Sequence, residues 1–142
     1  MKKTLVVVID GMGGGIGKSI VGNLHNENIR LVALGTNDVA TNNMLKAGAH
    51  EGYTGEENIV EYVKKADLII GVMGILIPNS LLGEFSTEIV TSIFKSTAVK
   101  VLVPMNKCGI KIACEENILS YHIDYAIKIS KDEIKNLNHE GL

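Results

Sequence analysis

Two stretches of this sequence hold the residue types that chemistry needs. The first is Asp10-Gly11-Met12-Gly13-Gly14-Gly15-Ile16-Gly17-Lys18, five glycines within seven positions and then a lysine. Glycines clustered in this way let a chain turn sharply and let a ligand lie against the backbone. The N–H groups at the start of a following helix then attract an anion. The second is Asn106-Lys107-Cys108. A lysine and a thiol could attack a carbonyl or acyl carbon, and the neighbouring ammonium favours the thiolate. Pro104 and Gly109 bracket this trio and favour a plainer reading, a polar turn.

The spacing of the glycines separates the templates. G-x-G-x-x-G fails, because its third glycine falls on Ile16 when counted from Gly11 and on Lys18 when counted from Gly13. G-x-x-x-G-x-G is met by Gly11, Gly15 and Gly17, and resembles the loop of short-chain dehydrogenases and reductases. In that reading Gly11 makes the turn off the strand, Gly15 lets a pyrophosphate approach, and Gly17 allows close helix–strand packing. Gly13, Gly14, Ile16 and Lys18 complete the cradle.

The P-loop, G-x-x-x-x-G-K-[ST], is matched at its end by Gly17-Lys18-Ser19, but its first glycine falls on Met12. The segment also resembles the variant loop of division-site and partition ATPases, with Gly13 in place of their extra lysine. Such enzymes need a later aspartate to hold magnesium, and the sequence offers only Asp67, which begins its strand. The expected ligand is therefore a dinucleotide, NAD or NADP. ATP or GTP, another anion, and a turn kept for packing alone are the alternatives.

An acid at the end of the second strand, about 20 residues beyond the loop, ordinarily holds the adenine-side ribose. Thr36 and Asn37 stand there, with Asp38 next. With no carboxylate in the first position a 2′-phosphate is not repelled, and Lys18 could help to bind it. The expectation leans to NADP. Asn37 or Asp38 would equally serve to cap the next helix.

Catalytic machinery is harder to find. Short-chain reductases carry a tyrosine and a lysine four residues apart. Here Tyr53, Tyr62, Tyr121 and Tyr125 are followed at that spacing by Glu57, Ala66, Tyr125 and Ile129. His50-Glu51 opens like a zinc-protease helix, but Thr54 stands where the second histidine belongs. His25, His122 and His139 share no ligand spacing, so no metal is expected. Cys108 and Cys114 match neither a redox pair nor a zinc knuckle and read as reduced thiols.

These residues must be held by elements legible in the hydrophobic pattern. Strands are expected at residues 4–9, 30–34, 49–53, 67–72, 99–103 and 110–114. Between them fall helices with Ile16, Ile20 and Leu24 inward, then Val39, Met44 and Leu45, then Ile59, Val60 and Val63, then Ile89, Val90, Ile93 and Phe94. Gly48 closes the second helix, Thr54 and Glu57 form a capping box for the third, and Ser86 caps the fourth. A last helix runs over residues 119–137. The alternation predicts an α/β fold, a doubly wound and mostly parallel Rossmann-like sheet between two helical layers, as one domain over residues 1–142.

Ligands of such sheets bind beyond the strands' C-terminal ends. That rule gathers Asp10, then Thr36 and Asn37, then Thr54 and Glu56, then Gly71 and Gly74, and last Asn106, Lys107 and Cys108. Ser80 and Glu84 read either as part of this rim or as polar groups at a helix entry. In the loop at 73–85, Ile75, Leu76, Ile77, Leu81 and Leu82 cannot all reach a core this small. They suggest a lid or a self-association patch, and a homodimer is expected.

Composition narrows the partners. The chain has 142 residues, a net charge of −2 and 46% apolar residues, with no basic run and no apolar stretch long enough to span a bilayer. Nucleic acid and membrane are not expected partners, and the expected location is the cytoplasm.

The chain resembles a small family of uncharacterised bacterial proteins, a domain-of-unknown-function family of anaerobic Gram-positive bacteria. The matching stretches include Val8-Ile9-Asp10-Gly11, Gly13-Gly14-Gly15-Ile16-Gly17-Lys18, Ala33-Leu34-Gly35-Thr36-Asn37 and Met44-Leu45-Lys46-Ala47-Gly48-Ala49. Further along come Thr54-Gly55-Glu56, Ala66-Asp67-Leu68-Ile69-Ile70-Gly71, Leu82-Gly83-Glu84 and Asn106-Lys107-Cys108. At Val72-Met73 the chain departs from a proline commoner in the family. The resemblance implies a Rossmann-like fold and no established activity.

Overall fold

The strand β1 (Leu5–Asp10) is buried along its whole length, as a parallel strand covered by helices on both faces must be. In the computed structural model, which describes residues 2–140, it is the centre of an all-parallel five-stranded sheet. β2 (Arg30–Gly35) and β3 (Glu51–Thr54) lie to one side of it, and β4 (Leu68–Val72) and β5 (Val99–Val103) to the other. The order β3-β2-β1-β4-β5 reverses direction between β1 and β4. That reversal is where the loops leaving a doubly wound sheet diverge and open a crevice. The fold is α/β and Rossmann-like. The first position and the last two of the expected domain lie outside the described residues.

The helices form two groups. α1 (Gly15–Leu24) packs against α2 (Asp38–Ala47) and α5 (Leu119–Glu140), whereas α3 (Glu56–Lys65) packs against α4 (Thr87–Lys95). Ile20 and Leu24 of α1 are fully buried and Ile16 packs against the same core. Asn37 caps α2 by accepting the Ala40 N–H at 2.9 Å, and Ser86 caps α4 through the Ile89 N–H. Gly48, at φ +123°, ends α2.

Several sequence expectations are corrected. Thr54 is the last residue of β3 rather than a cap. Its hydroxyl donates to Thr41 Oγ1 at 2.8 Å, and α3 starts from Gly55 at φ +102° without a side-chain cap. Residues 110–114 form no strand. β5 is the sheet's edge, and the Asn106 side chain takes the Ile112 N–H at 2.6 Å, fixing an irregular segment over residues 104–118. Phe94 is 73% exposed. Ile89 and Ile93 form the buried line of α4, and Phe94 lies about 100° further round in the last turn. Val39 is exposed on α2.

At the outer edge, Arg30 on β2 grips Glu51 on β3 with two bonds of 2.6 and 2.7 Å, and the Tyr53 hydroxyl adds a third at 2.9 Å. The Arg30 hydrogen bonds are the main cause holding the Glu51 carboxyl at about 2, against an ordinary 4.5. A depressed pKa means this contribution is complete above about 4.5 and is lost as pH falls towards 2. Glu51→Gln is expected to lower stability by about 1 kcal/mol at pH 7, since the pair is part-exposed. Urea denaturation of both proteins at pH 7 and pH 3 checks this, the gap narrowing at the lower pH.

Candidate functional site

β1 ends at Asp10, and the chain must leave the sheet there and enter α1 within four residues. The Asp10 carboxylate makes this possible. Oδ1 accepts the Gly11 N–H at 2.8 Å and Oδ2 accepts the Gly17 N–H at 2.7 Å, so one buried side chain ties both ends of the loop to the strand. Burial pushes the Asp10 carboxyl up from its ordinary value, and the two N–H bonds work in the opposite direction. Asp10 therefore holds the loop in shape, with both oxygens already engaged.

The five glycines divide by what surrounds them. Gly14 turns the chain at φ +70°, and a Cβ there would lie 2.8 Å from Ala40 Cα. A Cβ on Gly17 would stand 2.6 Å from Met44 Sδ and 2.9 Å from Asp10 Oδ2, which is the close packing expected of it. One on Gly11 would lie 2.5 Å from Glu84 Oε1 and 2.7 Å from Thr36 Oγ1. Gly11 is thus a point of close approach, and the left-handed turn falls on Met12 (φ +51°) and Gly14 instead. Gly13 and Gly15 are different. A Cβ on either would meet nothing within 4 Å, and neither has a positive φ.

Among the described residues the N–H groups of Gly13, Gly15 and Ile16 have no hydrogen-bond partner, and no side chain caps α1. The loop's outer side is braced from α2. Asn37 Nδ2 donates to Met12 O at 3.0 Å, and Asn43 Nδ2 donates to Gly13 O at 2.7 Å. The arrangement presents free N–H donors at a helix N-terminus, which is suited to an anion. Lys18 is exposed on the first turn of α1.

The loop after β4 reaches across the switch point. A 3-10 turn (Met73–Leu76) buries Ile75, and Phe85 is fully buried beside Gly11. Asn79, Leu81, Leu82 and Gly83 all have positive φ, and the Asn79 N–H donates to Phe85 O at 2.7 Å to hold the bend. Of the apolar residues expected to form a patch here, Ile75 is buried, Leu76 and Leu81 pack against the core, and Leu82 is 90% exposed. Other exposed apolar side chains include Ile118, Leu119, Tyr121, Tyr125 and Ile129, on and before α5.

This bend delivers Glu84 to the end of β2. Glu84 Oε1 accepts the Met12 N–H and the Thr36 hydroxyl, each at 2.7 Å, and Oε2 accepts from Asn37 Nδ2 at 3.2 Å. Burial works against the charged form. The bonds from Thr36, Met12 and Asn37 outweigh it and hold the Glu84 carboxyl below its ordinary value. The expectation of NADP assumed that no carboxylate stands at the end of β2. A different element supplies one.

The other expected rim residues scatter. Gly71 lies inside β4, where a Cβ would meet Ile9 O at 2.9 Å, and Gly74 O accepts the Ser80 hydroxyl. Asp67 sits at the opposite end of the sheet and accepts the Leu5 N–H at 2.7 Å, so it is out of reach of a magnesium ion at the loop. Asn106, Lys107 and Cys108 form a turn with Cys108 at φ +56° and Gly109 at φ +75°. Lys107 and Cys108 border a cavity of about 40 Å³ with Met73, Gly74, Ile77 and Ser80. Cys114 Sγ lies 3.9 Å from His122 Nε2, both exposed or part-exposed and away from the glycine loop. His50 Nδ1 accepts the Leu31 N–H. Among the described residues no His, Cys, Asp and Glu cluster could hold a metal, and no helix is long and apolar enough to cross a membrane.

The family described as Domain of unknown function (DUF3842) matches residues 5–135. The chain belongs to this family. The matched stretch takes in the glycine loop, Thr36, Asn37, Glu84 and the 106–108 turn. No curated protein matches the chain in sequence. Among solved structures, AibC is similar at 16% identity and a TM-score of 0.52, over 94% of this chain and 41% of its own. An NAD+ complex of a variant imine reductase from Myxococcus stipitatus is similar at 19% identity and a TM-score of 0.44, over 72% of this chain and 33% of its own. The DUF3842 chain thus spans less than half the length of either, and the likeness concerns the fold alone.

Two residues of the candidate site carried little signal. Glu84 was readable either as part of the rim or as a polar group at a helix entry, because nothing local shows that its loop crosses β1. Asn43 lies mid-helix with no motif around it, and only the packing of α2 on α1 reveals its bond to the loop.

Proposed function

We propose that the loop at residues 11–18 binds a dinucleotide of the NAD(P) class, with the pyrophosphate against the N–H groups of Gly13, Gly15 and Ile16. One observation carries the reading. Gly13 and Gly15 lack a side chain where neither packing nor backbone angle requires it, beside donors without partners. Glycine costs chain entropy, so its use at two such points favours a ligand that must come close. Asp10, Gly11, Gly14 and Gly17 shape the loop, and Thr36 and Asn37 border it. Use of ATP or GTP is less well supported, because Asp10 and Glu84 already accept bonds from the chain's own donors and Asp67 lies at the opposite end of the sheet.

The same geometry favours a binding or nucleotide-sensing module over a self-contained reductase. Near the loop the carboxylates of Asp10 and Glu84 are engaged by backbone and side-chain donors, and the tyrosines lie on other elements. The exposed apolar side chains of α5 beside the edge strand β5 support assembly with a second copy, which would supply a further wall to the cleft.

Calorimetric titration with NAD, NADP, and the magnesium complexes of ATP and GTP tests the reading. A dinucleotide is expected to bind in the micromolar range or tighter without metal. Binding confined to a magnesium–triphosphate complex would overturn it. Steady turnover of a carbonyl compound that is lost in Lys107→Ala or Cys108→Ala would overturn the non-catalytic part.

A further inference from the structure

Glu84 belongs to the loop after β4, yet its carboxylate is bound at the end of β2. There it joins the second residue of the glycine loop, through the Met12 N–H, to Thr36 and Asn37. In doubly wound sheets this is where an acid contributed by β2 itself meets the ribose of the adenosine half. β2 of this chain ends without one. We propose that Glu84 takes over that task from another element and selects a free 2′-hydroxyl, NAD, over a 2′-phosphate, NADP. The proposal rests on the dinucleotide reading above.

Three features support it. Oε1 already accepts two bonds, whereas Oε2 accepts one, so the second oxygen can still accept from a ribose hydroxyl. A phosphate monoester has little to donate to it and adds a charge of about −1.5 to −2 at neutral pH. Second, every partner of Glu84 is neutral, and Asp38 adds a further exposed carboxylate beside Asn37. No cation among these partners offsets the repulsion. Third, the carboxylate is held in place rather than left mobile. The bend over Asn79, Leu81, Leu82 and Gly83 is closed by backbone pairing of Ser80 with Phe85, and Phe85 anchors it in the core. A discriminating charge acts only when its position is fixed.

Titration of the full chain with NAD, NADP, ADP-ribose and 2′-phospho-ADP-ribose decides the matter. NAD is expected to bind at least about tenfold more tightly than NADP, with the same order for the two fragments. In Glu84→Gln, whose folding is checked by its thermal midpoint, the preference should shrink to about threefold or less. If Glu84→Gln does not fold, salt dependence replaces it. A preference set by charge falls as salt rises from about 0.05 to 0.5 M. NADP binding as tightly as NAD, or a preference unmoved by both Glu84→Gln and salt, overturns the assignment and leaves dinucleotide binding standing. Failure of all four ligands to bind overturns both.

Discussion

Gly14→Ala is expected to lower the free energy of unfolding by about 2–4 kcal/mol, while Gly15→Ala, one residue on, costs nothing measurable. The difference lies in local geometry. Gly14 sits at φ +70°, where an L side chain carries strain of about 1–2 kcal/mol. Its new methyl would also press on the backbone of α2, 2.8 Å from Ala40 Cα and 2.9 Å from Ala40 O, and backbone cannot swing aside as a side chain can. Relief requires α1 and α2 to separate. Gly15 has an ordinary φ, opens α1 and faces open space, so alanine there fits and is a better helix former. Urea denaturation of the two variants checks the contrast. Equal effects would mean that the loop is not packed against α2 as described.

Valine at both Gly13 and Gly15 is expected to weaken dinucleotide binding about 100-fold or more while moving stability by less than about 1 kcal/mol. Few substitutions separate binding from folding so cleanly. A Cβ at either position would meet nothing within 4 Å, so the valine side chains start into open space. They do fill the space through which a pyrophosphate would reach the N–H groups of Gly13, Gly15 and Ile16. A phosphate kept an ångström or more further out loses its short charged bonds, each contributing about 1.5–3 kcal/mol. Calorimetry on the double variant, beside circular dichroism of its thermal transition, gives both numbers. Unimpaired binding would remove the glycines from the site.

Much of this could be read in the sequence because it depends on local periodicity. The apolar runs of β1, β2 and β4 and the alternation with helices lead directly to a doubly wound sheet. Asn37 and Ser86 were legible as caps because capping is decided within three residues. Thr54 misled for the converse reason. Its hydroxyl found Thr41, thirteen residues away, and a distant partner displaced a local motif. Residues 110–114 have strand-like composition, but β5 is the sheet's edge and the Asn106 side chain holds the segment in another shape. The glycine loop was legible as a sharp turn between β1 and α1, whereas the division of labour within it was not. Which glycine faces Ala40, Met44 or open space depends on how α2 and the β4 loop pack around it. Glu84 is the sharpest case, since 48 residues separate it from Thr36.

The most direct test of the central claim is amide NMR of the wild-type chain titrated with NAD. The largest chemical-shift changes are expected at the N–H groups of Gly13, Gly15 and Ile16, with smaller ones at Met12, Thr36 and Asn37. Residues of the 106–108 turn should stay nearly still. Shifts centred on Lys107 and Cys108, or a loop that responds to magnesium–ATP and not to NAD, would contradict the account.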